Sequence, residues 1–403
     1  MSIHSTPQHD ISAKPAAGDI DYRLLVPVLA NSLLMQIVVV LVRVTTSYRA
    51  VELHLPIVWL GVISATFAIF PILLAVWVGR FIDRGNDAVT AWIGAGFIAV
   101  ACGGFALFST SAALLVCTAL LGTGQLFTMA AQQILCVRAA GPGRVDSVFG
   151  NYMLASAIGQ GIGPFIVGWA GGAAMLPPTQ QLFTLGLIIG AVTLVVALAI
   201  RPSPEHSTGA KDRAVVPIKS LLRVPGLNAI IVAGIFIVTA NDLVIIYFPI
   251  LGAERAIDVN VIGMLLTVRA AVSVVARLIY ARMVMRFGHE ALMVGSLFIA
   301  AVAFMSLAVP IPLWAMYGAM AVMGFTLGIG ATLNLAMVVD RTPKGARGTA
   351  NSLRLMGNRI GQLSLPFGAS VVAAATGVAG IMVMIALSLV ASAAAVQLSR
   401  PPR

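Results

Sequence analysis

Charged side chains are rare inside the long apolar runs of this sequence, and the few that occur there define the chemistry open to it. One acid, Asp242, lies deep in such a run. An ionisable group at membrane depth costs free energy and usually marks a binding or transport site. Five basic residues share this setting, and all are arginines: Arg43, Arg269, Arg277, Arg354 and Arg359. One acid against five arginines makes the interior net positive.

Asp242 is the candidate proton carrier. Burial in lipid favours the neutral acid, whereas a neighbouring arginine favours the carboxylate. A proton or an anion that arrives between the two groups would therefore switch the pair. The alternative is a static aspartate–arginine pair that only holds spans seven and eight together. The sequence leaves both interpretations open.

Polar side chains recur at helical spacing around these charges and so form stripes on several spans. Guanidinium groups bind carboxylate or phosphate through two parallel hydrogen bonds, which favours a substrate with an anionic group. The amides have an alternative role as links between helices, and arginines near span ends can snorkel or close a gate. The predicted substrate cavity consists of Gln36, Arg43, Gln125, Gln132, Tyr152, Gln160, Asn241, Tyr247, Arg269, Ser273, Arg354, Asn358 and Gln362.

The elements that position these residues are predicted to be membrane-spanning helices. The 403 residues are 59% hydrophobic and only 10% charged, with a mean hydropathy of +0.99, whereas soluble domains carry about 25% charged residues. A hydrocarbon core of about 30 Å requires roughly 20 apolar residues per helix. The pattern predicts an all-α membrane protein with twelve spans, near residues 24–44, 56–78, 89–108, 112–137, 148–170, 181–200, 226–250, 260–280, 290–309, 312–338, 349–373 and 376–397.

The distribution of basic residues predicts the orientation. Eighteen lysines and arginines lie in segments on the side of the N-terminus, and only Arg49 and Arg255 lie in loops on the other side. By the positive-inside rule both termini are cytoplasmic, in a cell inner membrane. The net charge of +11 is then a topology signal with a secondary attraction to anionic lipid, and it does not indicate nucleic-acid binding.

The chain divides into two similar halves. Residues 1–23 are predicted to be a disordered cytoplasmic tail, 24–200 a six-helix bundle, 201–225 a cytoplasmic linker and 226–398 a second six-helix bundle. Residues repeat at an offset of 202, as when Gly122 maps onto Gly324 and Pro164 onto Pro366. Two repeats related by an axis along the membrane normal place a substrate site between them near the midplane.

The loop between spans two and three resembles a signature of the major facilitator superfamily, Gly-x-x-x-Asp-Arg-x-Gly-Arg-Arg. Here it reads GRFIDRGNDA, in which the first glycine, the aspartate and the first arginine match. The copy in the second half, ARMVMRFGHE, has Met285 in place of the acid. The resemblance implies a latch between the halves in the outward-open form, and the predicted gating residues are Gly79, Asp83, Arg84, Arg282 and Arg286.

The fifth span is similar to the antiporter motif of the same superfamily. Gly150, Gly159, Gly163, Pro164 and Gly168 match it, with a valine in place of one further glycine. Within the superfamily this motif implies exporters of drugs or metabolites that exchange for protons. The alternative is that small residues only allow close helix packing.

Two departures weigh against the exporter. The fourth-span arginine of proton-coupled members is replaced by Thr118, and the first span carries Arg43 but no acid.

The function predicted first is therefore secondary active transport of a small organic molecule by alternating access, as proton-coupled efflux. Uptake or exchange of an organic anion through the same fold is the alternative. The expected partners are the small-molecule substrate, protons and membrane lipid, and the protein is expected to be a monomer. No motif for ATP, metal or serine hydrolase chemistry occurs in the sequence, which predicts neither an enzyme nor a cofactor. A channel is disfavoured because no filter segment or ring of charge occurs.

Overall fold

The computed structural model is a bundle of long α-helices, and it describes residues 20–141, 144–202, 224, 226–342 and 347–399. Eleven helices in this part of the chain are long and apolar enough to cross a membrane. The predicted tail 1–23 and linker 201–225 lie largely outside the described residues. The helices are α1 Tyr22–Glu52, α2 Val58–Asp83, α3 Asp87–Leu107, α4 Ser111–Ala139, α5 Val145–Gly171, α6 Thr179–Leu198, α7 Leu227–Glu254, α8 Val259–Phe287, α9 His289–Ala308, α10 Leu313–Arg341 and α11 Arg347–Leu398.

Helix α11 supplies the last two spans because it breaks at Gly377. That residue has φ 72° and ψ −178°, a conformation that glycine adopts without a steric penalty. We call residues 347–376 the first arm and 378–398 the second arm. The first arm runs along α7, with Gly361 beside Ile235, while the residue after the second arm, Ser399, lies beside Gly226 at the start of α7. The chain therefore reverses at the break, which confirms the prediction of twelve spans.

The apolar composition explains why these segments are helical. Lipid offers no hydrogen-bond partner to the backbone, so each span must satisfy its own N–H and C=O groups. Prolines inside helices are tolerated in this setting, and they occur at Pro27, Pro71, Pro164, Pro249 and Pro366.

The two halves repeat in packing as well as in sequence. A Cβ atom placed on Gly122 of α4 would lie 2.0 Å from the carbonyl oxygen of Phe67 on α2. A Cβ atom placed on Gly324 of α10 would lie 2.1 Å from the carbonyl oxygen of Arg269 on α8. Both residues of the second pair are 202 positions after those of the first. This equivalence confirms the prediction of two pseudo-symmetric six-helix bundles.

The halves join through α1 with α7, α2 with the first arm of α11, and α5 with α8. We call the face at which α1 begins and α11 ends the terminal face, and the other the distal face. On the distal side, Gly168 of α5 packs against Gly263 of α8. Beyond the helix ends, the Val259 N–H donates to the Ala174 carbonyl at 3.0 Å. These contacts hold the halves together toward the distal face.

Candidate functional site

An ion pair connects the two halves in the interior of the bundle. Arg43 Nη1 on α1 donates to Asp242 Oδ1 on α7 at 2.8 Å, and the side chains are 11% and 13% exposed. The Arg43 guanidinium also lies 4.5 Å from the ring centroid of Phe67 on α2, within the range of a cation–π interaction. The alternative interpretation of the sequence was a static pair that holds spans seven and eight together, whereas the structure pairs Asp242 with Arg43 of span one in the other half.

The second carboxylate oxygen of Asp242 is held by α11. Gln362 Nε2 donates to Asp242 Oδ2 at 2.6 Å. The carbonyl oxygen of the same amide accepts a hydrogen bond from Arg359 Nη1 at 3.0 Å. A continuous chain of hydrogen bonds therefore runs from α1 through α7 to α11.

A further arginine, Arg269 of α8, lies next to this network of hydrogen bonds. Arg269 Nη1 donates to the side-chain oxygen of Asn241, the residue before Asp242. Arg269 is only 6% exposed, and its Nε has no hydrogen-bond partner in the part of the chain that the structure describes. Arg43 therefore contacts the carboxylate directly, Arg359 reaches it through Gln362, and Arg269 bonds to the residue beside it.

A small cleft adjoins Arg43 on the distal side. Four hydroxyl side chains and an apolar wall line it. The hydroxyl of Thr118 is buried and has no hydrogen-bond partner. The hydroxyl residues are Thr46, Ser47, Ser64 and Thr118.

Three of the predicted cavity residues are buried among helices of one half. Gln132 is fully buried and donates to Asn31 at 2.7 Å. Tyr247 is fully buried and donates to the carbonyl of Pro366 at 3.1 Å. Tyr152 is 2% exposed. The hydrogen bonds of Gln132 and Tyr247 connect neighbouring helices of one half, as expected of the alternative role as interhelical links.

The other predicted cavity residues are spread along the helices. Gln36 is buried against Gly159, and Ser273 lies against Gly328. Asn358 is buried, and its side-chain oxygen has no hydrogen-bond partner. The half-buried residues are Gln125, Gln160 and Arg354. The residues that the structure brings together are Arg43, Asn241, Asp242, Arg269 and Gln362.

The predicted gating residues lie toward the terminal face. Arg84 and Arg282 are exposed, and Arg286 lies over the ring of its neighbour Phe287 at 5.6 Å. Gly79 has open space beside it, and the side chain of Asp83 is outside the described part. The latch implied by the resemblance stays a prediction.

The glycines of the antiporter-like span make close helix contacts. Cβ atoms on Gly159 and Gly163 would meet the backbone of α1, and Gly168 packs on α8. Pro164 is buried beside them, whereas Gly150 has open space. Close packing accounts for three of the glycines, and the motif remains compatible with exchange.

Sequence reasoning missed Phe67, which lies under the Arg43 guanidinium. The signal that could have found it is the repeat, because Phe67 is 202 positions before Arg269. The two residues occupy equivalent places on α2 and α8, and each contacts a residue of the charged network, Phe67 the Arg43 guanidinium and Arg269 the Asn241 amide.

Comparison with known proteins identifies the fold. The sequence model of the Major Facilitator Superfamily matches residues 24–250 and 230–403. No curated protein is detectably similar in sequence. The crystal structure of the nucleoside transporter NupG is 14% identical, with a TM-score of 0.79 over 94% of this chain and 100% of that one.

Two further solved structures have the same fold at similar identity. A bacterial homolog of the human lysosomal transporter Spinster, inward-facing and unoccupied, is 14% identical, with a TM-score of 0.78 over 96% of this chain and 98% of that one. A D-xylose-proton symporter is 14% identical, with a TM-score of 0.77 over 95% of this chain and 98% of that one.

Proposed function

Because this chain belongs to the Major Facilitator Superfamily, we propose that it is a secondary transporter in which proton binding at Asp242 drives the movement of a small organic molecule. The observation that supports this most is the ion pair of Arg43 and Asp242, which joins the two halves in the interior. General transport follows from the family and the fold. That a proton drives the movement, and the direction in which the substrate moves, are the parts that we propose.

The ion pair links proton binding to the arrangement of the halves. The carboxylate holds Arg43 from α1 and Gln362 from α11 on its two oxygens. A proton on Asp242 removes the charge that attracts the guanidinium, so the link between α1 and α7 weakens. The halves are in contact toward the distal face. Loss of the ion pair removes one of the interactions between them, and this favours their separation at that face. Alternating access needs such a two-state element.

Export is the first candidate direction. It is supported by the resemblance of α5 to the antiporter motif, whose glycines pack closely on α1 and α8. Helices that lack side chains at the contact can slide or tilt against each other with little obstruction. A substrate released outward in exchange for a proton would use this contact as the moving joint.

Uptake or exchange of an organic anion is the second candidate. It is supported by the arginine excess near Asp242, where Arg43 contacts the carboxylate, Arg359 reaches it through Gln362, and Arg269 bonds to Asn241. Such a site attracts a negatively charged group more readily than a cation. In this case the proton and the anion would travel together.

Asp242→Asn tests the proton coupling. We expect the variant in proteoliposomes to lose transport driven by an imposed pH gradient, because the amide cannot exchange a proton. The signals are a pH-sensitive dye trapped in the vesicles and substrate flux, normalised to folded protein. The matched control is Asp258→Asn, which removes a carboxylate just before α8 begins, and it should keep the gradient dependence.

Gradient-driven transport that survives in Asp242→Asn would overturn the coupling role.

Accumulation of labelled compounds in cells with and without the gene, together with a panel of toxic compounds, distinguishes export from uptake. Export predicts lower accumulation and greater resistance in cells that carry the gene, and uptake predicts the opposite.

A further inference from the structure

The interior of the bundle carries more positive charge than its own acid can balance. Within the described helices, Asp242 is the one acid that lies more than a few residues from a helix end. Arg43 contacts it directly, Arg359 reaches it through the amide of Gln362, and Arg269 bonds to the adjacent Asn241. Three cations beside one anion leave an excess charge of the kind that membrane proteins place in ion or substrate sites.

The arginines have hydrogen-bonding capacity beyond their present partners. A guanidinium carries five N–H donors in a planar fork. Arg269 is buried, bonds to an uncharged amide, and leaves Nε without a hydrogen-bond partner among the described residues. Arg359 likewise donates to the uncharged amide of Gln362. Two of the three guanidinium groups therefore bond to neutral oxygens where an anion would bind more strongly.

We propose that Arg43, Arg269 and Arg359 bind an anionic group of the substrate, a carboxylate or phosphate, and that Asp242 competes with this group for the arginines. This inference rests on the proposed function and assigns its substrate class. The ring of Phe67, under Arg43, provides an adjoining apolar surface for the rest of the molecule.

The competition fixes the sign of the coupling between proton and substrate. Protonation of Asp242 removes the internal competitor, so the arginines bind the anion more tightly as pH falls. The charged groups around Asp242 are Arg43 from α1, which contacts it, Arg359 from α11, which reaches it through Gln362, and Arg269 from α8, which bonds to Asn241. Helix α10 also packs on α7, but its charged residues are the last two, Asp340 and Arg341.

Proton and anion therefore promote each other's binding, as linkage requires. This is the behaviour of cotransport, whereas exchange requires that the two ligands compete. The charge arrangement thus favours the second candidate direction over the first.

Binding measurements on the purified full-length protein in nanodiscs test the proposal. The probes are sulfate and benzoate, with benzamide as the uncharged control, and the readout is the shift in thermal unfolding as each is titrated at pH 7 and fixed ionic strength. We expect Asp242→Asn to bind sulfate or benzoate about tenfold more tightly than the unaltered protein, since one competing charge is removed. Benzamide should not distinguish the two proteins.

Second variants show whether the arginines form the site. Adding Arg269→Gln or Arg359→Gln to Asp242→Asn should abolish the gain, whereas adding the exposed Arg23→Gln should not. Anion binding in Asp242→Asn that is absent, or no tighter than in the unaltered protein, would overturn the proposal. Failure of this inference is separable from failure of the coupling role, because Asp242→Asn is scored for gradient-driven transport in one experiment and for anion binding in the other.

Discussion

Arg43 and Asp242 show how a single residue pair can connect two halves of a molecule. Each side chain is nearly buried, so each depends on the other to offset the cost of removing a charge from water. Asp242 has Gln362 as a second partner, while Arg43 has the ring of Phe67. Loss of either charge therefore leaves the other only partly compensated.

A double-mutant cycle measures this dependence at the residue scale. Arg43→Gln alone should lower the free energy of unfolding by about 2 to 5 kcal/mol, the usual cost of leaving a buried charge unpaired. Adding Asp242→Asn should cost less than the sum of the single changes, because no unpaired charge remains. Thermal unfolding of the four proteins in nanodiscs gives the coupling energy. Strictly additive effects would show that the two charges do not interact.

Glycines at two equivalent contacts allow pairs of helices to pack closely. Gly122 lets α4 reach the backbone of α2, and Gly324 lets α10 reach the backbone of α8. The backbone atoms at these contacts belong to Phe67 and Arg269, the residues that face the site from each half. The glycines thus set the distance at which the ring and the guanidinium meet their partners.

Alanine at either glycine tests this role at the element scale. We expect Gly122→Ala and Gly324→Ala to destabilise the protein by about 1 to 3 kcal/mol, since the added methyl group meets a rigid carbonyl. The matched controls are Gly96→Ala and Gly318→Ala, which have open space beside them and should unfold at or above the original temperature. Equal unfolding temperatures for all four variants would contradict the packing argument.

Backbone hydrogen bonds join the two halves at the distal face of the molecule. Besides the helix contacts, Val259 and Asn260 at the start of α8 donate backbone hydrogen bonds to the carbonyls of Ala174 and Gly172, each at 3.0 Å. These bonds join the two halves beyond the end of α5. Alternating access requires that they break when the distal side opens.

A reversible cross-link tests this at the scale of the molecule. Because their backbones are hydrogen-bonded, cysteines at Ala174 and Val259 should be close enough to form a disulfide under oxidant. We expect oxidation to stop transport and reduction to restore it, with the single-cysteine variants unaffected. The native cysteines are buried and free, so they should not interfere. Full transport by the cross-linked protein would show that the halves need not separate here.

The sequence by itself determined the class of the protein, the number of spans and the repeat. It also singled out most of the residues that meet around Asp242. These follow from local properties, since lipid forces helices on apolar runs and makes interior charges conspicuous. Only the tertiary structure decided which arginine pairs with Asp242, that Phe67 underlies it, and that Gln132, Tyr152 and Tyr247 lie within packed helix contacts. Those outcomes depend on how helices that are far apart in the chain rotate and approach one another. Periodicity shows which face of a helix a side chain lies on, but it does not show which helix packs against that face.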